Sequence, residues 1–404
     1  MGQPAGRRTP LPSIKGWCPT VFEPMAASDG LLASLKPRVQ GWTLAELRLI
    51  ASAAQQHGSG ALLLTNRANL QIRGLTVQSA PRFTAAIVNA ALASVDAHAE
   101  RRRNVLTDAS MSAQLEGFAS RLEDWLERET ALAVLPPKFS FAVTAVASQS
   151  ADICIHAAGA QWYVVPGDAQ LAVLTDEPLA AVASLAHVFV RLAGDCQRMR
   201  DLIAKVGCEA VFREAELKAV AFTPQAGIQR SSDVGVLEHQ RFGIGVPFGR
   251  LDAARLLTIA DLAERFATGR VRLTGHRSFV LTHLSTDAIE ALSTQAEEQG
   301  LIVDADDSRL RIAACSGGSG CGNSVANIFA LAESLAPFWR SQSTLHLSGC
   351  SKGCAHPRAA ALTCVAESAG ERFRILRDSR ADGCSSLSLS VAELPELLAQ
   401  ESLS

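Results

Sequence analysis

Thr43-Leu-Ala-Glu46-Leu47 returns later in the chain as Thr258-Ile-Ala-Asp261-Leu262, and what surrounds the two copies sets the architecture. Each copy reads as a helix start, with Thr as the N-cap and an acid three residues on. An apolar strand ending in Thr follows in both places, Ala61-Leu-Leu-Leu-Thr65 and Arg270-Val-Arg-Leu-Thr274. A second strand comes next, Asn69-Leu-Gln-Ile-Arg73 and Ser278-Phe-Val-Leu-Thr282, and then a helix near 81–94 and 286–299. With 30–36 and 242–246 as opening strands, each unit runs strand, helix, strand, strand, helix. The pattern predicts two ferredoxin-like halves.

Larger α+β segments lie between and after them. The first opens with a helix over 113–129, whose Leu115, Phe118, Leu122, Trp125 and Leu126 share one face. Strands are expected at 139–146, 152–156 and 161–165, then a long helical stretch over 177–206, then a polar connection over 223–234. The last segment reads as a helix near 323–336, strands at 344–347, 360–365 and 373–376, and a short final helix. The expected division is a first ferredoxin-like half-domain at 14–80, an α+β domain at 81–235, a second half-domain at 236–300 and a second α+β domain at 301–404. The fold class is α+β with a pseudo-two-fold duplication.

A chain of 404 residues, 48% of them hydrophobic, has material for several cores. The formal charge of −2, with no long run of one sign, argues against a nucleic-acid track or a membrane-binding face. Residues 1–15 lack the apolar run of a secretory signal, and the residues after Arg7-Arg8 are too polar for a twin-arginine one, so the cytosol is expected. Thiols stay reduced there, and Cys18, Cys154, Cys196, Cys208, Cys364 and Cys384 read as small hydrophobes.

The other four cysteines form two pairs in glycine-rich text, Cys315-Ser-Gly-Gly-Ser-Gly-Cys321 and Cys350-Ser-Lys-Gly-Cys354. Four thiolates in that frame suit a [4Fe–4S] cluster, with nearby glycines letting backbone N–H groups approach its sulfurs. A structural zinc site is the alternative, although zinc usually draws its ligands from tighter pairs than the first.

With those cysteines in place, other motifs resemble the siroheme-dependent sulfite and nitrite reductases over nearly the whole chain. Thr65-Asn-Arg67-Ala-Asn-Leu-Gln71 is similar to the family's first substrate-arginine motif, Arg103-Asn-Val105 to its second, and Pro137-Lys138-Phe139 to its lysine motif. Asp152-Ile-Cys-Ile-His156-Ala157 is similar to the strand after it. Ser140 departs from the pattern, because the reductases carry a second lysine there. The text of both cysteine pairs, Leu347-Ser-Gly-Cys350 with Ala355-His-Pro357, and the opening Gly16-Trp-Cys-Pro19 with Met25 and Asp29-Gly30-Leu-Leu32 resemble the precorrin-3B synthase branch.

The resemblance implies an oxidoreductase, specifically a monooxygenase of aerobic cobalamin biosynthesis. Such an enzyme uses O2 and NADH to hydroxylate precorrin-3A and to close a γ-lactone from a ring-A acetate. It further implies that Cys315, Cys321, Cys350 and Cys354 hold the cluster, and that Arg67, Arg103 and Lys138 contact substrate carboxylates or a reactive oxygen species. A cavity that holds siroheme in a reductase can hold a precorrin as substrate, and whether siroheme also binds is left open. Arg101 and Arg102 read as solvated neighbours.

Oxygen chemistry calls for a further metal centre, since cluster irons are coordinatively full. The candidates for a mononuclear iron are His156, His346 and His356, with Asp152 as a carboxylate partner, although they form no tight triad in sequence. No Gly-x-Gly-x-x-Gly sits between a strand and a helix, so NADH is expected to act through a separate electron-donor protein. The competing functions are a siroheme-dependent sulfite or nitrite reductase and a non-catalytic iron–sulfur carrier.

Overall fold

At Thr43 the hydroxyl accepts from the Glu46 N–H at 3.3 Å while the Glu46 carboxylate accepts from the Thr43 N–H at 2.6 Å, closing a capping box on the helix Leu44–His57. The second half differs from the expectation. Its helix is Ala253–Phe266, capped by the Asp252 carboxylate, which accepts from Arg255 N–H at 2.8 Å. Thr258 lies inside that helix and donates to Ala254 O at 3.2 Å. A carboxylate six residues earlier takes the cap, so the two similar pentapeptides are not structurally equivalent.

The computed structural model describes residues 19–109, 111–145, 151–223, 233–238, 240–267, 269–318, 320–367 and 370–402. Gly16, Trp17, Cys18 and most of the expected 223–234 connection lie outside them. The chain divides into two units, chiefly Gly30–Leu310 and Arg311–Ser404.

In the first unit, one half contributes the strands Gly30–Leu35, Ala61–Leu64 and Leu70–Leu75, and the other contributes Arg241–Gly245, Val271–Leu273 and Ser278–Leu281. The link from first strand to first helix crosses over in each half. Arg250–Asp252 pairs antiparallel with Ala61–Leu64, and Trp42 bridges to Val271. The exchange is reciprocal, which gives the halves a pseudo-two-fold relation. They also share one core, in which Trp42, Leu47, Ile50 and Phe83 are continuous with Phe242, Leu256, Ile259 and Phe279.

The same unit holds a six-stranded mixed sheet in which Val105–Thr107, Phe141–Thr144 and Ile153–Ala158 run parallel and Gln161–Pro166, Leu171–Thr175 and Val220–Ala221 continue antiparallel. The predicted face of Ala113–Arg128 covers it through Phe118, Leu122 and Leu126, packed with Phe141, Ile153 and Phe189. The expected long helix is two, Pro178–Leu192 and Met199–Val206, interrupted where Gly194 takes φ +57°. The second unit repeats this sheet pattern. Ile312–Ala314, Leu345–Ser348 and Ala360–Glu367 are parallel, and Arg372–Ser379 and Ser388–Ser390 are antiparallel.

Candidate functional site

In the second unit, Cys315 follows the strand Ile312–Ala314 and Cys350 lies just beyond Leu345–Ser348. These strands are parallel neighbours, so both cysteine loops leave the same carboxyl edge of the sheet, where open α/β sheets place ligands. Two glycines bring the loops together. A Cβ on Gly349 would stand 1.8 Å from Ser324 Oγ, so the Cys321 loop lies directly on the Cys350 loop. Gly317, at φ +67°, leaves no room for a Cβ against Ile328 N, 2.7 Å away.

Gly349 N–H donates to Cys315 Sγ at 3.2 Å, an amide-to-sulfur bond of the kind that surrounds iron–sulfur clusters. Burial pushes the Cys315 thiol up, against the pull of the Gly349 and Gly317 N–H groups, and neighbouring Cys321 and Cys350 resist its ionisation further. Cys354 is raised the same way, by burial and then by Cys350 and Cys321. Four thiolates this close require positive charge among them, which an iron cluster supplies. Among the described residues, no three His, Cys, Asp or Glu side chains are spaced for a single metal ion. The donor set and its amides fit the cluster. Cys154 and Cys364 are buried, with thiols pushed up to about 11 and about 12, as expected of small hydrophobes, whereas Cys384, given the same reading, is exposed.

Among the described residues, those considered for a mononuclear iron form no metal-spaced group of three within either unit. Asp152 is buried and fully engaged, accepting from Ser140 N–H at 2.9 Å, Met199 N–H at 2.8 Å and Arg198 Nε at 3.0 Å. His156 stacks on Phe222 at 5.5 Å and pairs through Nδ1 with Thr144 Oγ1 at 3.1 Å; burial holds its pKa low and the ring neutral. His346 and His356 face each other in the second unit, with ring centroids 5.8 Å apart.

Arg67 and Lys138 come together in the first unit, Arg67 Nη2 donating to Lys138 O at 2.9 Å. Arg67 sits on the hairpin tip after Ala61–Leu64, which is held by Thr65 N–H to Asn69 O and Ala68 N–H to Thr65 O. Arg103 is placed differently. Only 1% exposed, it donates from Nη1 to Glu123 at 2.8 Å and from Nη2 to Glu100 at 2.9 Å, and it also bonds Pro37 O and Lys36 O. Its guanidinium is spent inside the protein, where burial pulls its pKa down and the two carboxylates more than reverse the effect. Arg102, expected to be solvated, is buried and binds the Leu126 and Glu127 carbonyls at the end of Ala113–Arg128.

Arg67, Asn69, Arg103, Asn104, Lys36 and Arg272 line a cavity of about 20 Å³. That space takes a water molecule or part of one carboxylate, and a macrocycle does not fit in it. Sequence reading missed Arg272 and Arg241, both buried and both bound to Glu116 Oε1, at 2.8 and 2.7 Å. Arg272 interrupts an apolar strand, a signal that was present. Its partner, on the helix Ala113–Arg128, was not legible.

Residues 30–90 and 239–299 each match the nitrite/sulfite reductase ferredoxin-like half domain, and the chain's relatives are consistent with the sulfite/nitrite reductase superfamily. The chain is 29% identical over 380 residues to a precorrin-3B synthase of Sinorhizobium sp, covering 88% of this chain and 82% of that one. It is 25% identical over 374 residues to a ferredoxin–nitrite reductase of Synechococcus elongatus, covering 78% and 72%. The solved structure of the Mycobacterium tuberculosis NirA protein shares the fold, with a TM-score of 0.71 over 91% of this chain and 79% of that chain at 18% identity. Among the described residues, no helix is long and apolar enough to cross a membrane.

Proposed function

We propose that this chain catalyses the precorrin-3B synthase reaction, the O2- and NADH-dependent hydroxylation and γ-lactone formation on precorrin-3A. The observation that carries the reading is the 29% identity to a precorrin-3B synthase over 88% of the chain. Geometry supports it against reduction of a small anion. Ser140, at the position of the reductases' second lysine, is buried and turned to Asp152, and Arg103 is held by Glu100 and Glu123. Two cations of a small-anion site are thus unavailable.

In this reading Cys315, Cys321, Cys350 and Cys354 hold a [4Fe–4S] cluster, which supplies single electrons when bound. Arg67 binds a peripheral carboxylate through its bidentate fork, and Lys138 adds a point charge beside it. The Lys138 carbonyl fixes one Arg67 amino group and so orients the fork. Arg103 shapes the cavity by gripping the Lys36 and Pro37 carbonyls. Hydroxylation consumes O2, two electrons and two protons, placing one oxygen on the ring and releasing the other as water. The electrons come from NADH through a partner reductase, and the enzyme works in the cytosol.

The test is turnover of precorrin-3A by the reduced protein under isotopically labelled O2. The expected product carries one labelled oxygen and a lactone. Absence of that product alongside brisk nitrite reduction would favour the second reading, which the 25% identity to a ferredoxin–nitrite reductase keeps in view.

A further inference from the structure

The hairpin tips of the two half-domains are built alike. In the first, Ala68 N–H donates to Thr65 O and Thr65 N–H to Asn69 O; in the second, Arg277 N–H donates to Thr274 O and Thr274 N–H to Ser278 O. Ala68 and Arg277 both take left-handed backbone, φ +53° and +60°. The tips also meet, since a Cβ on Gly275 would lie 3.2 Å from Asn66 O. Matched residue by residue, the place of Arg67 in the first tip belongs to His276 in the second.

His276 has a dedicated partner. Its Nδ1 lies 2.9 Å from Asp233 Oδ2, with Asp233 buried and the imidazole 39% exposed. Asp233 cannot drift, because its backbone lies flat on Gly243: a Cβ there would stand 1.8 Å from Asp233 O. The other charged groups facing the pair are Asp108, at the end of Val105–Thr107, and Arg272 on the same hairpin. Arg272 is committed to Glu116, Thr107 and the Asp108 carbonyl, and Glu116 is shared with Arg241. Arg277, next in the chain, is half-buried, and desolvation lowers its pKa.

We propose that His276 is the proton-transfer residue of the substrate site and that Asp233 is its positioning partner. This rests on the proposed function in one respect, that substrate lies at the hairpin tips beside Arg67. Asp233 accepts the Nδ1 proton and fixes the tautomer, so Nε2 is the exchanging nitrogen. The step moves one proton. The Nε2–H bond breaks, the proton passes to a basic atom of the bound substrate, and the imidazole takes a replacement from solvent; no electron changes hands. The Asp233 hydrogen bond raises the imidazole pKa against desolvation, which favours the protonated donor form.

The experiment pairs His276→Gln and Asp233→Asn in the full chain, with cluster content checked. Imidazole NMR should show the His276 midpoint falling in Asp233→Asn, and the alkaline limb of kcat for precorrin-3A should move down by the same amount. His276→Gln should lower kcat by roughly 10²–10⁴-fold with little change in KM. An NMR midpoint that moves while the kcat limb stays put, or a His276→Gln enzyme with wild-type kcat, overturns the proposal. If His276→Gln fails to fold, the Asp233→Asn limb still decides. Wild-type inactivity on precorrin-3A counts against the proposed function alone. The same two variants are then read on nitrite reduction, which also consumes protons, by the same criteria.

Discussion

Replacing Arg103 with Ala tests whether this residue holds the fold or meets substrate. The change would leave Glu100 and Glu123, 0% and 5% exposed, facing each other without the cation between them. Removing one partner of a buried ion pair costs about 3–5 kcal/mol, because the remaining charge stays desolvated. Here two carboxylates are stranded and the Lys36 and Pro37 carbonyls lose their donor, so the upper part of that range is expected. Against a total stability of about 5–15 kcal/mol the loss is severe, and a melting-point drop on the order of 10 °C is expected. Arg103→Lys should recover part of it, keeping charge but losing the fork. Arg103→Met with Glu100→Gln and Glu123→Gln should recover more, because no buried charge is left unpaired. Thermal melts of the four proteins, followed by circular dichroism, make the comparison. An Arg103→Ala protein that melts with wild type but binds precorrin-3A far more weakly would refute the reasoning and return Arg103 to the substrate.

Changing Cys315, Cys321, Cys350 or Cys354 to Ser should strip or destabilise the cluster, while Cys364→Ser and Cys384→Ser retain it. Iron and acid-labile sulfide analysis checks this, and zinc in their place would contradict it. Arg67→Ala should spare the cluster and weaken precorrin-3A binding by roughly ten-fold or more, as expected for a lost charge-assisted hydrogen bond, and Lys should rescue only partly. Titration of binding by fluorescence reads both. His156 is held neutral by burial, so its folded pKa lies below the unfolded value near 6.5. Its contribution is complete above that pH and is lost as pH falls towards the folded pKa. His156→Phe, which keeps the stack on Phe222, should flatten the loss of melting temperature on acidification; an unchanged slope would contradict it.

What the sequence disclosed was chiefly local. The Thr43 capping box, the strand–helix–strand–strand–helix order of both halves and the face of Ala113–Arg128 rest on patterns a few residues long. The two cysteine loops were legible as a pair because each spacing is written in one short stretch, and the parallel strands before them bring both to one sheet edge. Thr258 misled because an interior Thr followed by an acid looks like a cap when the true cap, Asp252, lies six residues earlier. The single long helix over 177–206 overlooked Gly194, whose positive φ ends the first of two. The motif at Arg103 could be matched, but the direction of its guanidinium is set by Glu123 on a later helix, and side-chain direction is not written in a motif. The His276–Asp233 pair joins segments distant in sequence, and only the folded hairpin brings them within 2.9 Å.

The central claim is that a tetrapyrrole is substrate here and an iron–sulfur cluster is the resident cofactor. The absorption spectrum of anaerobically purified protein, taken with its iron and sulfide content, tests it most directly. One broad cluster absorption is expected, with iron and sulfide in equal amounts and no siroheme bands. Stoichiometric siroheme bands would contradict it, because the macrocycle would then be a cofactor and the chain a reductase of small anions.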